Sequence, residues 1–315
     1  MLRPKIRGPF RVGPRRAPPG NMDKPALSVV IPTRNRRLVL GVTLTALNDQ
    51  TGMGGTFEVI VVDDGSEDDT TEWLACQTFE AFEMKTLRTD GIGPAGARNL
   101  GISQAQADRV LLLGDDTIPQ PTTLKAHLTL AGGRDIGVQG RIDWDPSLEI
   151  TPVMHFLAPE GPQFWFKGLG SGDPVPFTGV YGSNLSAPTK WFLSEPFDET
   201  YRSACFEDTE QAWRWSRRGW GVVFGDLAVC YHRHHYESLD PVIKRQRRAG
   251  VATWHTLRKH PRLLWTLFLQ PLMVGGFKAV EVGGKFLFGR ATFADRADLR
   301  CRLAWLGGLF TSITR

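Results

Sequence analysis

Cysteine is scarce in this chain: four residues among 315, Cys76, Cys205, Cys230 and Cys301, with no paired spacing and no C-x-x-C. That excludes a disulfide scaffold and a cysteine-rich zinc site, and it predicts reduced, mostly buried thiols of a cytosolic protein. An uninterrupted apolar run of the roughly 20 residues needed to span a bilayer is also missing. The most apolar stretch, 263–277, lies between Arg262 and Lys278 and is broken by Pro271 and Gly275-Gly276. Residues 1–25 hold six prolines and seven Lys or Arg but no apolar segment, so they read as a disordered basic arm and not as a secretory signal. No internal repeat is detectable.

What is present is an ordinary globular composition, 41% hydrophobic and 23% charged, long enough to bury a full core. The net charge of +5 is unevenly spread. Residues 26–240 hold seventeen Lys or Arg against twenty-nine Asp or Glu, whereas 241–315 hold fourteen against three. An acidic centre suits a divalent cation and a polyanionic ligand held through it, and basic flanks suit an anionic surface. Three segments follow: the arm 1–25, a main domain 26–240 and a basic helical region 241–315.

Within the main domain, buried-strand patterns alternate with helical ones. Leu27 to Ile31 is a strand stopped by Pro32, and Leu38, Leu40, Leu44 and Leu47 then recur at helical spacing. Strands at 58–62, 84–88 and 109–113 continue the alternation, which calls for a doubly wound, mostly parallel α/β sheet. Ligands of such sheets lie beyond the carboxyl ends of the strands. Two strands end in paired acids there: Val59 to Val62 runs into Asp63-Asp64, and Val110 to Leu113 runs into Gly114-Asp115-Asp116. Crowded carboxylates are costly to desolvate and ask for a cation or a ring of donors. Later in the chain, 208–219 reads as a helix, Val222 to Phe224 as a strand, and Leu227 to Tyr231 as strand-like, followed by His232, His234 and His235.

The order of Ile31-Pro32-Thr33-Arg34-Asn35, Val61-Val62-Asp63-Asp64-Gly65-Ser66, Ala97-Arg98-Asn99-Leu100-Gly101, Leu113-Gly114-Asp115-Asp116, Gly182-Ser183-Asn184, Phe197-Asp198-Glu199 and Phe206-Glu207-Asp208-Thr209-Glu210 resembles family 2 glycosyltransferases over roughly residues 26–240. The resemblance implies the GT-A (nucleotide-diphospho-sugar transferase) fold and an inverting, metal-dependent sugar transfer from a nucleotide sugar to a glycan or lipid-linked acceptor. It implies nucleotide-sugar contacts from Pro32, Thr33, Asn35, Asp64, Arg98, Asn99, Asp115 and Asn184. It implies Mn²⁺ or Mg²⁺ on Asp116, with His232 as a further ligand, and Asp208 as the base that takes the acceptor's proton. Glu207 competes with Asp208 for that role, and Gly114 stands where many relatives carry a third aspartate.

Other readings stay beside these. Asp64 can be a plain turn residue before Gly65, Arg98 a surface ion pair, and the acids at 207–208 a helix start that favours the dipole. Trp144, Trp165 and Trp191 can stack on sugars or fill the core. Gln211-Ala212-Trp213-Arg214-Trp215 mimics a synthase motif but reads as a helix face. Arg245-Gln246-Arg247-Arg248 can meet a diphosphate or an anionic lipid. The segment from Trp265 to Phe288, set among Arg262, Lys278, Lys285 and Arg290, fits a membrane interface or a hairpin packed on protein. A catalytically silent nucleotide-binding module is the alternative function. A sugar-nucleotide pyrophosphorylase would want a glycine-rich, cationic loop after the first strand, and Pro32 to Asn35 does not supply one. The expected location is cytoplasmic, peripheral at the inner face of the membrane, with no nucleic-acid partner.

Overall fold

Runs of Val, Ile and Leu with no polar interruption build strands that are covered on both faces, and the sheet of this protein is laid down from them. The structure, a computed structural model, describes residues 24–158, 161–164 and 166–313. The expected arm, apart from its last two residues, and Trp165 lie outside these.

Among the described residues the strands are β1 Leu27–Thr33, β2 Phe57–Asp63, β3 Phe82–Arg88, β4 Arg109–Leu113, β5 Thr117–Pro119, β6 Gly137–Trp144, β7 Asn184–Pro188 and β8 Val222–His232. The helices are α1 Arg37–Asn48, α2 Thr70–Ala75, α3 Pro94–Ser103, α4 Thr123–Ala131, α5 Pro152–Leu157, α6 Thr189–Ser194, α7 Glu207–Arg217, α8 Asp240–Lys259, α9 Gln270–Leu287 and α10 Phe293–Ile313. The strands form one mixed sheet in the order β3-β2-β1-β4-β7-β6-β8-β5. This is the GT-A-like α/β architecture expected, followed by the helical carboxyl-terminal region.

Register decides where the acids go. β1 runs parallel to β2 and β4, and β2 parallel to β3. β7 runs antiparallel to both β4 and β6, with Leu113 opposite Asn184. β6 and β8 are parallel, with Trp144 opposite His232, and Thr117 at the start of β5 also pairs with His232. One edge of the sheet therefore collects Thr33, Asp63, Leu113, Asn184, Trp144 and His232.

Alternate residues of each strand face opposite layers. Val30, Ile60, Val62, Val110 and Leu112 pack with Ala95, Ala97 and Ile102 of α3 and with Trp191, Phe192 and Trp215. Val29, Ile31, Val59, Val61 and Leu111 pack with Leu40, Leu44 and Leu47 of α1, Leu74 of α2 and Leu124 of α4.

Several local expectations change. The two short strand patterns at 222–224 and 227–231 join into the single eleven-residue β8. Pro271 does not break the apolar stretch: it sits in the first turn of α9, where no amide donor is needed. Helical structure runs from Pro261 to Leu287, long and apolar enough by length and composition alone to cross a membrane. Of the four free cysteines, Cys230 and Cys301 are buried, Cys205 half-buried and Cys76 exposed. Trp215, in the motif that mimics a synthase signature, is core, and Arg214 beside it pairs with Glu195 and Glu210.

Trp191 is fully buried, stacked on Trp220 at 4.9 Å and edge-on to Trp215 at 5.5 Å, so it is core and not a sugar platform. Trp191→Ala is expected to cost about 3–5 kcal/mol in urea unfolding, while nucleotide affinity measured well below the melting transition stays unchanged.

Candidate active site at the carboxyl edge of the sheet

The turn from β4 to β5 carries the acid pair, closed by Thr117 N–H donating to the Gly114 carbonyl at 3.2 Å. Asp115 is buried and accepts from Thr33 Oγ1 at 2.9 Å, and its own carbonyl accepts from Thr43 Oγ1. Arg36 covers both acids, its Nη2 donating to Asp116 Oδ2 at 2.7 Å and its Nε lying 3.5 Å from Asp115 Oδ1. His232 Nε2 and His234 Nδ1 stand 3.4 and 3.7 Å from the same Asp116 oxygen. His235 is exposed and takes no part.

Burial pushes the Asp115 carboxyl up to about 6, opposed by Arg36 and reinforced by the charge on Asp116. Burial acts on Asp116 in the same sense, but the two imidazoles and Arg36 outweigh it and hold that carboxyl well below its ordinary range. A third aspartate has no ready space: a side chain at position 114 would meet Thr117 Oγ1 at 2.6 Å.

Next to this pair, the tips of β1 and β2 are tied by Asp64 N–H donating to the Thr33 carbonyl at 2.8 Å. Asp64 accepts from Thr89 Oγ1, Ile92 N and Gly93 N, which fixes the loop leading into α3. Three of its roughly four acceptor positions are thus taken and one stays open. Asn35, in the left-handed region at φ 53°, accepts from Glu67 N–H and so clips the β1 loop to the β2 loop. Pro32, half-buried, lies opposite Val62 in the β1–β2 register.

Asp208 reaches the edge by a different route. It lies in the first turn of α7 and is half-buried. Its Oδ2 accepts from Gly182 N–H at 3.2 Å, and the neighbouring Ser183 carbonyl accepts from Gly114 N–H at 3.2 Å. Two hydrogen bonds therefore join the loop of the acid pair to Asp208. Glu207 cannot share the role, because it is sealed against Arg98 at 2.7 Å. Burial and the charge of Asp208 push the Glu207 carboxyl up, and Arg98 opposes them.

Three residues expected at the nucleotide are committed within the protein instead. Asn184 is buried: its amide nitrogen donates to the carbonyls of Arg141 and Ala228, and its oxygen lies 2.8 Å from His127 Nε2. Burial lowers His127 to about 4, so the ring is neutral and donates there. Asn99 grips the Phe197 backbone from both sides, and Arg98 forms a buried ion pair, not a surface one. Each of the three thus holds a loop in place, and the buried Nε of Arg98 keeps a donor without a hydrogen-bond partner.

Sequence reasoning missed Arg36. Its signal was the cluster Arg34, Arg36 and Arg37 directly after the first strand, a set of cations facing a set of acids. It also missed the rings around His232, where Trp144 lies at 5.5 Å and Phe164 at 5.2 Å. Among the described residues, the three non-glycine positions with positive φ are Asn35, Phe164 and Phe206. They flank, in turn, Arg36, His232 and the acids at 207–208. Such backbones cost of order 1–3 kcal/mol each and persist where surrounding structure enforces them.

Among the described residues no group of three His, Cys, Asp or Glu side chains could hold a metal ion by itself. The donors still suit a hard divalent cation that completes its shell with phosphate oxygens: one ionised carboxylate, a second beside it, and imidazoles facing the first. The Nδ1 atom of His232 is buried without a hydrogen-bond partner, so its ring is not locked in place from that side.

With this geometry in hand, comparison places the chain among known proteins. A family model described as Glycosyl transferase family 2 matches residues 28–166. Validoxylamine A glucosyltransferase of Streptomyces hygroscopicus subsp. limoneus is 28% identical over 314 residues, covering 89% of this chain and 67% of that protein. Chondroitin synthase of Escherichia coli is 28% identical over 239 residues, covering 66% of this chain and 34% of the synthase. The chain thus spans about two thirds of the first relative and a third of the second. Among solved structures, mannosyltransferase PcManGT from Pyrobaculum calidifontis, in complex with GDP-Man and Mn²⁺, shares the fold at a TM-score of 0.64 and 15% identity, covering 96% of this chain and 90% of that one.

A cation held by the ionised pair competes with the proton that Asp115 carries below about pH 6. Asp116 stays ionised throughout, and a ligating imidazole must also shed any proton it carries, so at least one proton leaves when the cation binds. Mn²⁺ affinity measured calorimetrically is expected to rise with pH, to be at least about tenfold weaker at pH 5 than on its plateau, and to level off above neutrality. Thr33→Val removes a hydrogen bond to the ionised Asp115 and is expected to move that midpoint upward.

Proposed function

Since the chain belongs to glycosyltransferase family 2, we propose that it is a metal-dependent inverting enzyme transferring a sugar from a nucleotide diphosphate to a hydroxyl of a glycan or lipid-linked acceptor. The observation that carries this reading is the hydrogen-bonded path from Gly114 through Ser183 and Gly182 to Asp208, which sets an acid pair and a half-buried carboxylate on one edge of the sheet.

Asp208 takes the proton of the acceptor hydroxyl as its oxygen bonds to the anomeric carbon, and the bond from that carbon to the diphosphate breaks on the opposite face. Asp116 and His232 would hold Mn²⁺ or Mg²⁺ with Asp115 beside them, and the cation supplies positive charge for the departing diphosphate. Arg36, which covers both acids, would add a fixed positive charge beside those phosphates. On the nucleotide side, Pro32, Thr33 and Asn35 form the floor, and the open acceptor position of Asp64 suits a base N–H. Arg98, Asn99 and Asn184 position these loops without touching the donor.

A cavity of about 220 Å³ bordered by Arg141, Asp143, Phe164 and Asp226 adjoins the His232 side. It is the proposed approach of the acceptor, where aromatic and charged groups suit a sugar. The basic region beyond residue 240 supports work beside a membrane on its cytoplasmic face. A silent nucleotide-binding module draws no support, since the relatives the chain resembles are named as transferases and synthases.

Asp208→Asn is expected to keep donor affinity within about twofold while lowering transfer by roughly 10²–10⁴. Asp116→Ala is expected to remove the metal-dependent part of donor binding. Calorimetry with UDP-, GDP- and dTDP-sugars, with and without Mn²⁺, together with a transfer assay, reads both; undiminished transfer by Asp208→Asn overturns the assignment of the base.

A further inference from the structure

The carboxyl-terminal region presents an apolar face that nothing among the described residues covers. Helix α9 has two unlike sides. Lys278, Glu281 and Lys285 recur at helical spacing on one. Lys285 pairs with Glu281 at 2.8 Å and with the buried Asp295 of α10 at 3.0 Å, and Lys278 lies 3.9 Å from the same aspartate. Val282, the buried residue of the helix, lies next to this stripe.

Roughly a third of a turn away, Met273, Phe277, Val280 and Leu287 share an apolar stripe, the last three 76%, 78% and 86% exposed, and Leu272, Val274 and Phe286 on other sides of the helix are exposed as well. Phe288 and Trp265 extend the patch at its two ends. Only 11% of the apolar window in Pro261–Leu287 is buried.

We propose that this face of α9 lies in the surface of an anionic phospholipid bilayer, parallel to its plane, while the Lys278-Glu281-Lys285 stripe stays clamped to Asp295. The inference deepens the proposal of work beside a membrane and rests on it for biological sense, although binding can be measured without any sugar transfer. Three observations choose the occupant.

First, α9 holds Lys278 and Lys285 against Asp295 while leaving a stripe of apolar side chains exposed, the combination an interfacial helix needs. Second, crossing the bilayer would break the clamp and carry Lys278, Glu281 and Lys285 into hydrocarbon, which α9 avoids by lying flat. Third, Arg262 and Arg290 stand exposed at the two ends of the patch, with no ion pair among the described residues, and Arg296 covers the ring of Phe286 at 5.6 Å. Cations at both ends complement anionic headgroups. They oppose a second copy of the chain on the same face, because either orientation of paired helices sets arginine against arginine.

Flotation of the full chain with vesicles of phosphatidylcholine alone, or of phosphatidylcholine with phosphatidylglycerol, tests the proposal. Binding is expected to the anionic vesicles, with a blue shift of tryptophan emission from Trp265. Phe277→Ser with Val280→Ser, both at exposed positions, is expected to weaken binding at least about tenfold. Arg262→Gln and Arg290→Gln are each expected to weaken it about fivefold and to flatten its salt dependence. Failure of the wild type to float with anionic vesicles overturns the proposal, as does undiminished flotation of the serine variant. A stable dimer that the serine variant dissociates, with no vesicle binding, assigns the face to a second copy instead. Transfer to a soluble acceptor is expected to be unchanged in every variant, so loss of membrane binding and failure of the enzymatic reading give different results.

Discussion

Two adjacent carboxylates at the end of a buried strand cannot stay together without positive charge beside them, and the loops around Asp115 and Asp116 are arranged to meet that requirement. Arg36 spans both acids, and two imidazoles approach Asp116 from the far side of the sheet. The result is an asymmetric pair: one group stays ionised, while the other gains or loses a proton near pH 6. Burial alone would have raised both. The asymmetry comes from which acid receives the imidazoles, and that follows from β5 pairing Thr117 with His232.

The first half of the fold was readable because its physics is local. Unbroken Val, Ile and Leu runs between helical repeats specify a sheet covered on both faces, and the acids at the strand tips fall at the edge where ligands of such sheets bind. The second half was less readable because pairing there is between distant segments. Nothing in residues 184–188 announces a strand running against its neighbours, yet that reversal brings Gly182 and Ser183 to the acid pair. Pro271 misled for a related reason: a proline usually breaks a helix in its interior, whereas here it stands in the first turn of α9 directly after the π-helical turn Trp265–Leu269, and the helical run continues through it.

The side chains named by motif divide into two kinds. Asp64, Asp115, Asp116 and Asp208 are carboxylates with acceptor capacity left over. Arg98, Asn99 and Asn184 donate to backbone or to buried partners. A motif letter records that a residue is needed and not whether it touches a ligand. Only the hydrogen-bond inventory of the folded chain separates the two. Arg36 escaped notice because a single arginine among three carries no pattern; its meaning appears when the acids it faces are brought within reach.

The reversal at β7 has an architectural corollary. Everything assigned to the departing nucleotide, apart from His232 at the end of β8, His234 beyond it and the loop-holding Asn184, is encoded before residue 120, while the proton acceptor and the walls of the opposite cavity are encoded after residue 140. The halves meet across backbone amides and also through buried side chains: Arg98 on Glu207, Asn99 on the Phe197 backbone, and Trp191 and Trp215 packed with Ala95 and Ala97 of α3. Such a seam ties the shape of the later half to the half that activates the donor, so any exchange of acceptor preference would have to carry these partners with it.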